Sequence, residues 1–65
     1  MIFDLSEYNK SCILADGCFG IIIQINGEVK PFNVAVQVPG ESDARYIAWE
    51  SFERLENGII LEKSK

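Results

Sequence analysis

The stretch that decides the fold is residues 21–38, which read IIIQINGEVKPFNVAVQV. Four of its first five positions are isoleucine, and residues 29–38 are rich in residues that favour strands. Asn26-Gly27 lies between the two runs, and such a dipeptide favours a tight hairpin because both central residues of the preferred turn need positive φ. The stretch therefore predicts strands over about residues 18–25 and 28–38, joined by a two-residue turn.

A second turn candidate, Asp16-Gly17, precedes this hairpin and follows a short apolar segment. It predicts a first strand over about residues 11–15 and hence a three-stranded antiparallel meander. Counting outward from the two turns pairs Ala15 with Cys18 and Ile25 with Glu28. One face of the meander then forms the predicted core, which contains Cys12, Leu14, Phe19, Ile21, Ile23, Ile25, Phe32, Val34 and Val36.

The segments on either side of the meander are less regular. In residues 2–10, Asp4 and Glu7 have the spacing of a capping box, which favours a single helical turn, although a short edge strand also fits. In residues 44–56, apolar residues recur at helical spacing, which would fit one helix, whereas Tyr46, Ile47 and Trp49 favour a strand.

For this later segment we expect a fourth strand over 44–49 and a short helix over about 50–56, because that arrangement would cover the exposed sheet edge. A closing strand should follow over 58–62. The sequence thus predicts a single small domain over residues 1–65, of the α+β class but mainly β. It should form either a small open barrel or a sheet with one helix.

The two cysteines, Cys12 and Cys18, fall on opposite faces of the predicted meander. Their Cβ vectors would diverge, so a disulfide between them would need the backbone to rearrange. We therefore expect two free thiols, as is common in chains without a secretory signal.

The net charge of −4 and the pI near 4.5 disfavour binding to the phosphate backbone of nucleic acids. No apolar run reaches the roughly 18–20 residues that span a bilayer, and no basic segment precedes an apolar one near the start. We expect a cytoplasmic protein that does not enter a membrane.

Residues that carry common chemistries are scarce. The chain has no histidine, which removes the usual acid–base relay and an imidazole metal ligand. Two cysteines are too few for a structural zinc site, and the five glycines match no phosphate-binding loop. We therefore expect no catalytic residues, no metal and no cofactor.

The best candidates for recognition are the aromatic residues Tyr46, Trp49 and Phe52, with Arg45 and Arg54 beside them. Trp, Tyr and Arg are enriched in interface hot spots. So small a domain also needs large side chains in its core, so we expect Trp49 or Tyr46, but not both, to stay partly exposed.

These observations favour a non-enzymatic protein–protein interaction or regulatory module, which binds another protein through an open strand edge or the aromatic residues and which forms a homodimer. Two alternatives remain at this point. One is an acidic inhibitor that occupies a basic nucleic-acid-binding groove, and the other is a small barrel that binds single-stranded nucleic acid by stacking.

Overall fold

The structure is a computed structural model that describes residues 1–63. Across those residues the fold is mainly β, as predicted, with two short 3-10 turns at Leu5–Glu7 and Trp49–Ser51. Its strands, numbered in chain order, are β1 (Ser11–Ile13), β2 (Phe19–Asn26), β3 (Asn33–Gln37), β4 (Arg45–Ala48), β5 (Phe52–Arg54) and β6 (Ile60–Glu62).

The strands described within residues 1–63 form one six-stranded sheet in the order β4-β3-β2-β1-β6-β5. Neighbouring strands are antiparallel except β1 and β6, which run parallel. The sheet stays open with β4 and β5 at its two edges, so the described residues form no closed barrel. The meander of β1, β2 and β3 and the later strands β4 and β6 match the predicted elements.

The helix predicted over about 50–56 is wrong. Residues 49–51 form a 3-10 turn, and the chain then continues as strand β5, paired with β6. The alternation of buried Phe52 with exposed Glu53 suits a strand at the sheet edge. Pairing and burial of Phe52 therefore outweigh the helical spacing of the apolar residues in this segment.

The two-residue turn at Asn26-Gly27 is also wrong. Strand β2 continues through Asn26, which pairs with Asn33, and residues 27–32 form a longer connection. Gly27 is not among the residues with positive φ. A Cβ at Gly27 would lie 2.6 Å from Cη2 of Trp49, so this position needs glycine because the indole ring lies against its backbone.

The predicted register fails at the first turn as well. Ile13, not Ala15, is the last residue of its strand to pair with β2, and its partner is Phe19. This shift of one residue turns Gly20 and Ile22 towards the core and places Phe19, 60% exposed, on the opposite face. Phe19, Ile21 and Ile23 were therefore assigned to the wrong face.

A β-bulge between Ile22 and Gln24 reverses the alternation along β2, so that Ile25 again packs against the core. The prediction was right for Cys12, Leu14, Val34 and Val36. The core lies on one face of the sheet, and its buried apolar residues are Phe3, Cys12, Leu14, Ile22, Val34, Val36, Val38, Phe52 and Ile60.

The opening segment covers this core, and its predicted helical turn is present as a 3-10 turn. Asp4 caps the turn, with its carboxylate accepting a hydrogen bond from the Ser6 backbone N–H at 2.9 Å. Glu7 turns inward, where it is buried and accepts a hydrogen bond from Arg54. The ring of Phe3 packs 5.5 Å from those of Trp49 and Phe52, measured between centroids.

Candidate protein-binding site

An apolar cleft of about 600 Å³ opens at the end of the sheet where the N-terminal segment meets strands β3 and β4. We call it the Trp49 cleft. Its walls come from the first two residues, the connection before β3, and the junction of β4 with the second 3-10 turn. The residues that line it are Met1, Ile2, Lys30, Pro31, Phe32, Ala48, Trp49 and Glu50.

Trp49 is held firmly beside this cleft. Its ring packs against those of Phe3 and Phe32, at centroid distances of 5.5 and 5.1 Å. Its indole Nε1 donates a hydrogen bond to the Asn33 carbonyl at 3.0 Å, which satisfies its polar group. A partner would therefore meet a fixed, largely apolar aromatic surface that needs little ordering on binding.

Apolar side chains and charges of both signs form the rim of the Trp49 cleft. Ile2 is 80% exposed there, and Pro31 is also exposed. The Lys30 ammonium lies 5.9 Å from the centroid of the Phe32 ring, and Glu50 contributes a carboxylate to the lining. An apolar floor with a few polar groups at the rim is typical of sites that take an apolar ligand group.

Strand β4 borders the cleft and forms a free edge of the sheet within the described residues. The backbone N–H of Trp49 donates to the Phe32 carbonyl at 2.9 Å, which fixes the phase of the pairing between β3 and β4. Hydrogen-bonded and non-hydrogen-bonded pairs alternate in an antiparallel ladder. The backbone N–H and C=O groups of Tyr46 and Ala48 therefore point away from β3, towards the open edge.

The face of the sheet opposite the core carries a second apolar surface, which we call the outer face. Leu61, Ile13 and Phe19 lie side by side across strands β6, β1 and β2. Phe19 and Ile13 are exposed, and Leu61 is partly exposed. Uncovered apolar rows of this kind often mark interaction surfaces.

The predicted recognition residues are only partly brought together. Tyr46 is 67% exposed on β4, and Trp49 is partly exposed at the cleft, so both retain accessible surface. The expectation that only one of them would do so is wrong, because Trp49 lies at the end of the core and not inside it. Phe52 is 1% exposed, so its side chain lies in the core and does not reach the surface in this structure.

Both predicted arginines are engaged within the chain. Arg45 forms ion pairs with Asp16, at 2.9 Å between Nη1 and Oδ2, and with Glu41. Its hydrogen bonds lower the pKa of both carboxyl groups, and the two carboxylates in turn raise the pKa of Arg45. Arg54 pairs with the buried Glu7. Arg45 and Arg54 therefore connect separate segments of the chain.

Several residues of the Trp49 cleft were missed by sequence reasoning. Met1, Ile2 and Phe32 come from segments far from Trp49 in the chain, and no local pattern predicts that they meet. One signal in the sequence could have pointed to Ile2. It is an apolar residue that precedes Asp4, the cap of the predicted helical turn, and the predicted core does not include it.

The two cysteines lie in different environments. Cys12 is buried in the core, where desolvation raises the pKa of its thiol to about 11, while Cys18 is exposed and free.

Residues 1–63 contain no group of three or more Cys, Asp or Glu side chains placed to hold a metal ion, and no helix long and apolar enough to cross a membrane.

Comparisons of the chain with protein-family models, with curated proteins and with solved structures found no match.

Proposed function

We propose that this protein is a small non-enzymatic interaction module that binds another protein at the Trp49 cleft. The observation that carries this proposal is the cleft of about 600 Å³, in which a fixed indole ring faces exposed apolar side chains. Trp is the residue most enriched in interface hot spots, because it buries a large area with few rotatable bonds.

The state of the neighbouring polar groups supports binding over chemistry at this site. The Trp49 Nε1 bonds to the Asn33 carbonyl, and the N-terminal amine lies 3.4 Å from the Trp49 carbonyl as a donor. What the cleft offers a ligand is mainly apolar surface. Burial of such surface gives roughly 25 cal/mol per Å², so one large apolar side chain of a partner would supply a few kcal/mol.

Site-specific photo-crosslinking tests this proposal. The photoreactive residue p-benzoylphenylalanine replaces Ile2 on the cleft rim in one variant and Leu5 in a matched control. Both positions are 80% exposed, but only Ile2 lines the cleft. After irradiation in cells that express the protein, we expect a defined adduct with another protein from the Ile2 variant and none from the Leu5 variant.

A second comparison guards against adducts that arise from exposure alone. Gly27→Ala would press a methyl group against the Trp49 ring, so the indole that lines the cleft would have to shift, while the residue at position 2 stays the same. The adduct at position 2 should then weaken. Equal adducts at positions 2 and 5, or an adduct that Gly27→Ala leaves unchanged, would contradict binding at the Trp49 cleft.

A further inference from the structure

We propose that the partner of the Trp49 cleft is an extended peptide segment that adds a strand to β4, inserts one apolar side chain into the cleft, and carries basic residues near its ends. This inference rests on the proposed function and specifies the partner. It combines three features of the structure that lie next to one another: an open strand edge, an apolar cleft, and carboxylates that form no ion pair within residues 1–63.

The edge of β4 is suited to strand addition. Its pairing with β3 runs without a register shift from Val36 to Asn33, so the strand is regular. The outward N–H and C=O groups of Tyr46 and Ala48 are spaced as in any β-ladder, ready for an added strand. Natural sheets commonly protect such edges with charged side chains, proline or a bulge. Strand β4, with the sequence RYIA, has no proline and no bulge, and its one charged side chain, Arg45, is held in ion pairs with Asp16 and Glu41.

The cleft begins where this edge ends. Ala48 is both the last residue of β4 and part of the cleft lining, and Trp49 follows it directly. A strand paired along Tyr46 and Ala48 would therefore carry its next side chains past the opening of the cleft. Main-chain pairing would supply affinity, and the apolar side chain that enters the cleft would supply selectivity.

The charges near the edge favour a basic peptide. Asp43 precedes β4 and Glu50 follows it, and neither forms an ion pair within residues 1–63. Both are exposed, and the chain as a whole carries a net charge of −4. Lysine or arginine in the peptide would be attracted to these carboxylates, whereas an acidic peptide would be repelled.

Selection from a library of random dodecapeptides displayed on phage, with the full chain as target, tests the inference. We expect enriched peptides to combine a large apolar residue with lysine or arginine and to change the fluorescence of Trp49, the only tryptophan. We also expect amide exchange at Tyr46 and Ala48 to slow by roughly tenfold or more at saturation, because these N–H groups become hydrogen-bonded.

Two variants at position 46 separate the contribution of the backbone N–H to peptide binding from that of the side chain. Tyr46→Pro removes the outward N–H without removing a bond to β3, since proline is tolerated on an edge when its missing donor faces solvent. Tyr46→Ala removes the ring and keeps the donor. One lost hydrogen bond of about 1.4 kcal/mol corresponds to tenfold in Kd, so Tyr46→Pro should bind about tenfold more weakly than Tyr46→Ala.

If Tyr46→Pro does not fold, N-methylation of the selected peptide at alternate residues tests the same pairing, because it removes backbone N–H donors of the peptide instead of those of β4. Methylation of the residues that pair with β4 should then weaken binding. A library that yields no binder, or peptides that bind without protecting Tyr46 and Ala48, would overturn strand addition. Enrichment of acidic peptides would overturn the charge argument. A crosslink from position 2 in cells would still support the cleft as a binding site, so the two proposals fail separately.

Discussion

Gly20 lies inside strand β2 at a point where there is no room for a side chain. A Cβ there would approach the Val36 Cγ1 to 2.4 Å and the Gln37 carbonyl oxygen to 3.0 Å. Its role, like that of Gly27 beside Trp49, is to allow close contact between neighbouring parts of the chain and not to form a turn. Residues of this kind are hard to interpret from sequence, because the contacting atoms lie far along the chain.

We therefore expect Gly20→Ala to lower the free energy of unfolding by about 1–3 kcal/mol through overpacking. Urea unfolding followed by Trp49 fluorescence would measure the change. Val36→Ala removes the atom that clashes, so the double variant should be more stable than the sum of the two single effects predicts. Strict additivity of the two effects would show that the two positions do not compete for the same space.

At the same scale, Glu7 is a buried carboxylate that is paired with Arg54. One of its oxygens accepts from Arg54, and the other lies 3.9 Å from the Lys10 ammonium without a hydrogen-bond partner in the structure. Arg54→Met should destabilise the protein by roughly 1–3 kcal/mol, because it leaves the buried carboxylate with only the Lys10 ammonium, at 3.9 Å, beside it, although the partial exposure of Arg54 limits the loss.

The matched comparison is the double variant Glu7→Leu with Arg54→Met, which removes both charges. Replacing a buried ion pair with apolar residues is often nearly neutral, so thermal unfolding of the double variant should recover most of the loss. A double variant less stable than Arg54→Met alone would mean that the pair contributes through its geometry and not through charge compensation.

At the scale of elements, the existence of most strands could be predicted, but their register could not. The β-prone runs locate β1 to β4 and β6 within a few residues, because a strand needs only local composition and alternation. Register depends on the turns, and both turns differ from the two-residue form. The bulge after Ile22 then reverses the alternation within β2, which no pattern in a run of isoleucines reveals.

One side chain, Arg45 on β4, connects three elements. It joins the strand to Glu41 in the preceding connection and to Asp16 in the loop between β1 and β2. Because these contacts lower the pKa of both carboxyl groups, their stabilising effect is complete above the ordinary values of 4.5 and 3.8. It is lost as the pH falls through the lowered values of the folded state.

We therefore expect Arg45→Met to be less stable than the natural protein at pH 7, and this difference to shrink as the pH falls below 4. Urea midpoints measured from pH 7 down to pH 2.5 would show it. Lys63→Met removes a cation that forms no ion pair within residues 1–63, and its difference from the natural protein should depend little on pH. Parallel pH profiles for both variants would refute the role given to Arg45.

The same holds for the candidate site: local composition indicates some of its residues, whereas others come together only in the folded chain. Tyr46 and Trp49 could be selected from composition alone, since aromatic side chains near arginine are common in interfaces. Their partners in the cleft could not, because Met1 and Phe32 reach Trp49 only through the assembled sheet. Phe52 was selected on the same grounds as Trp49, yet alternation along β5 turns it into the core.

At the scale of the whole molecule, the outer face leaves a row of apolar side chains without cover, and we expect it to mediate weak self-association. Phe19→Thr should lower the weight-average mass measured by sedimentation at high protein concentration, because Phe19 is the most exposed residue of that row. Leu5→Thr, which removes an equally apolar exposed side chain outside the outer face, should have little effect.

Salt gives an independent check on this association. Two copies that each carry a net charge of −4 repel one another, and higher ionic strength screens this repulsion. Association of the natural protein should therefore strengthen with added salt. A weight-average mass equal to that of the monomer at every protein concentration and salt level would rule out self-association through the outer face.

The position of β6 in the sheet has a consequence for synthesis. This strand lies between β1 and β5, and within the described residues β5 has no other strand partner. When the ribosome has translated the chain only as far as residue 58, β1 has one open side and the segment that becomes β5 has nothing to pair with. The sheet can be completed only after residues 60–62 emerge from the exit tunnel, because β6 is the strand that joins β5 to β1.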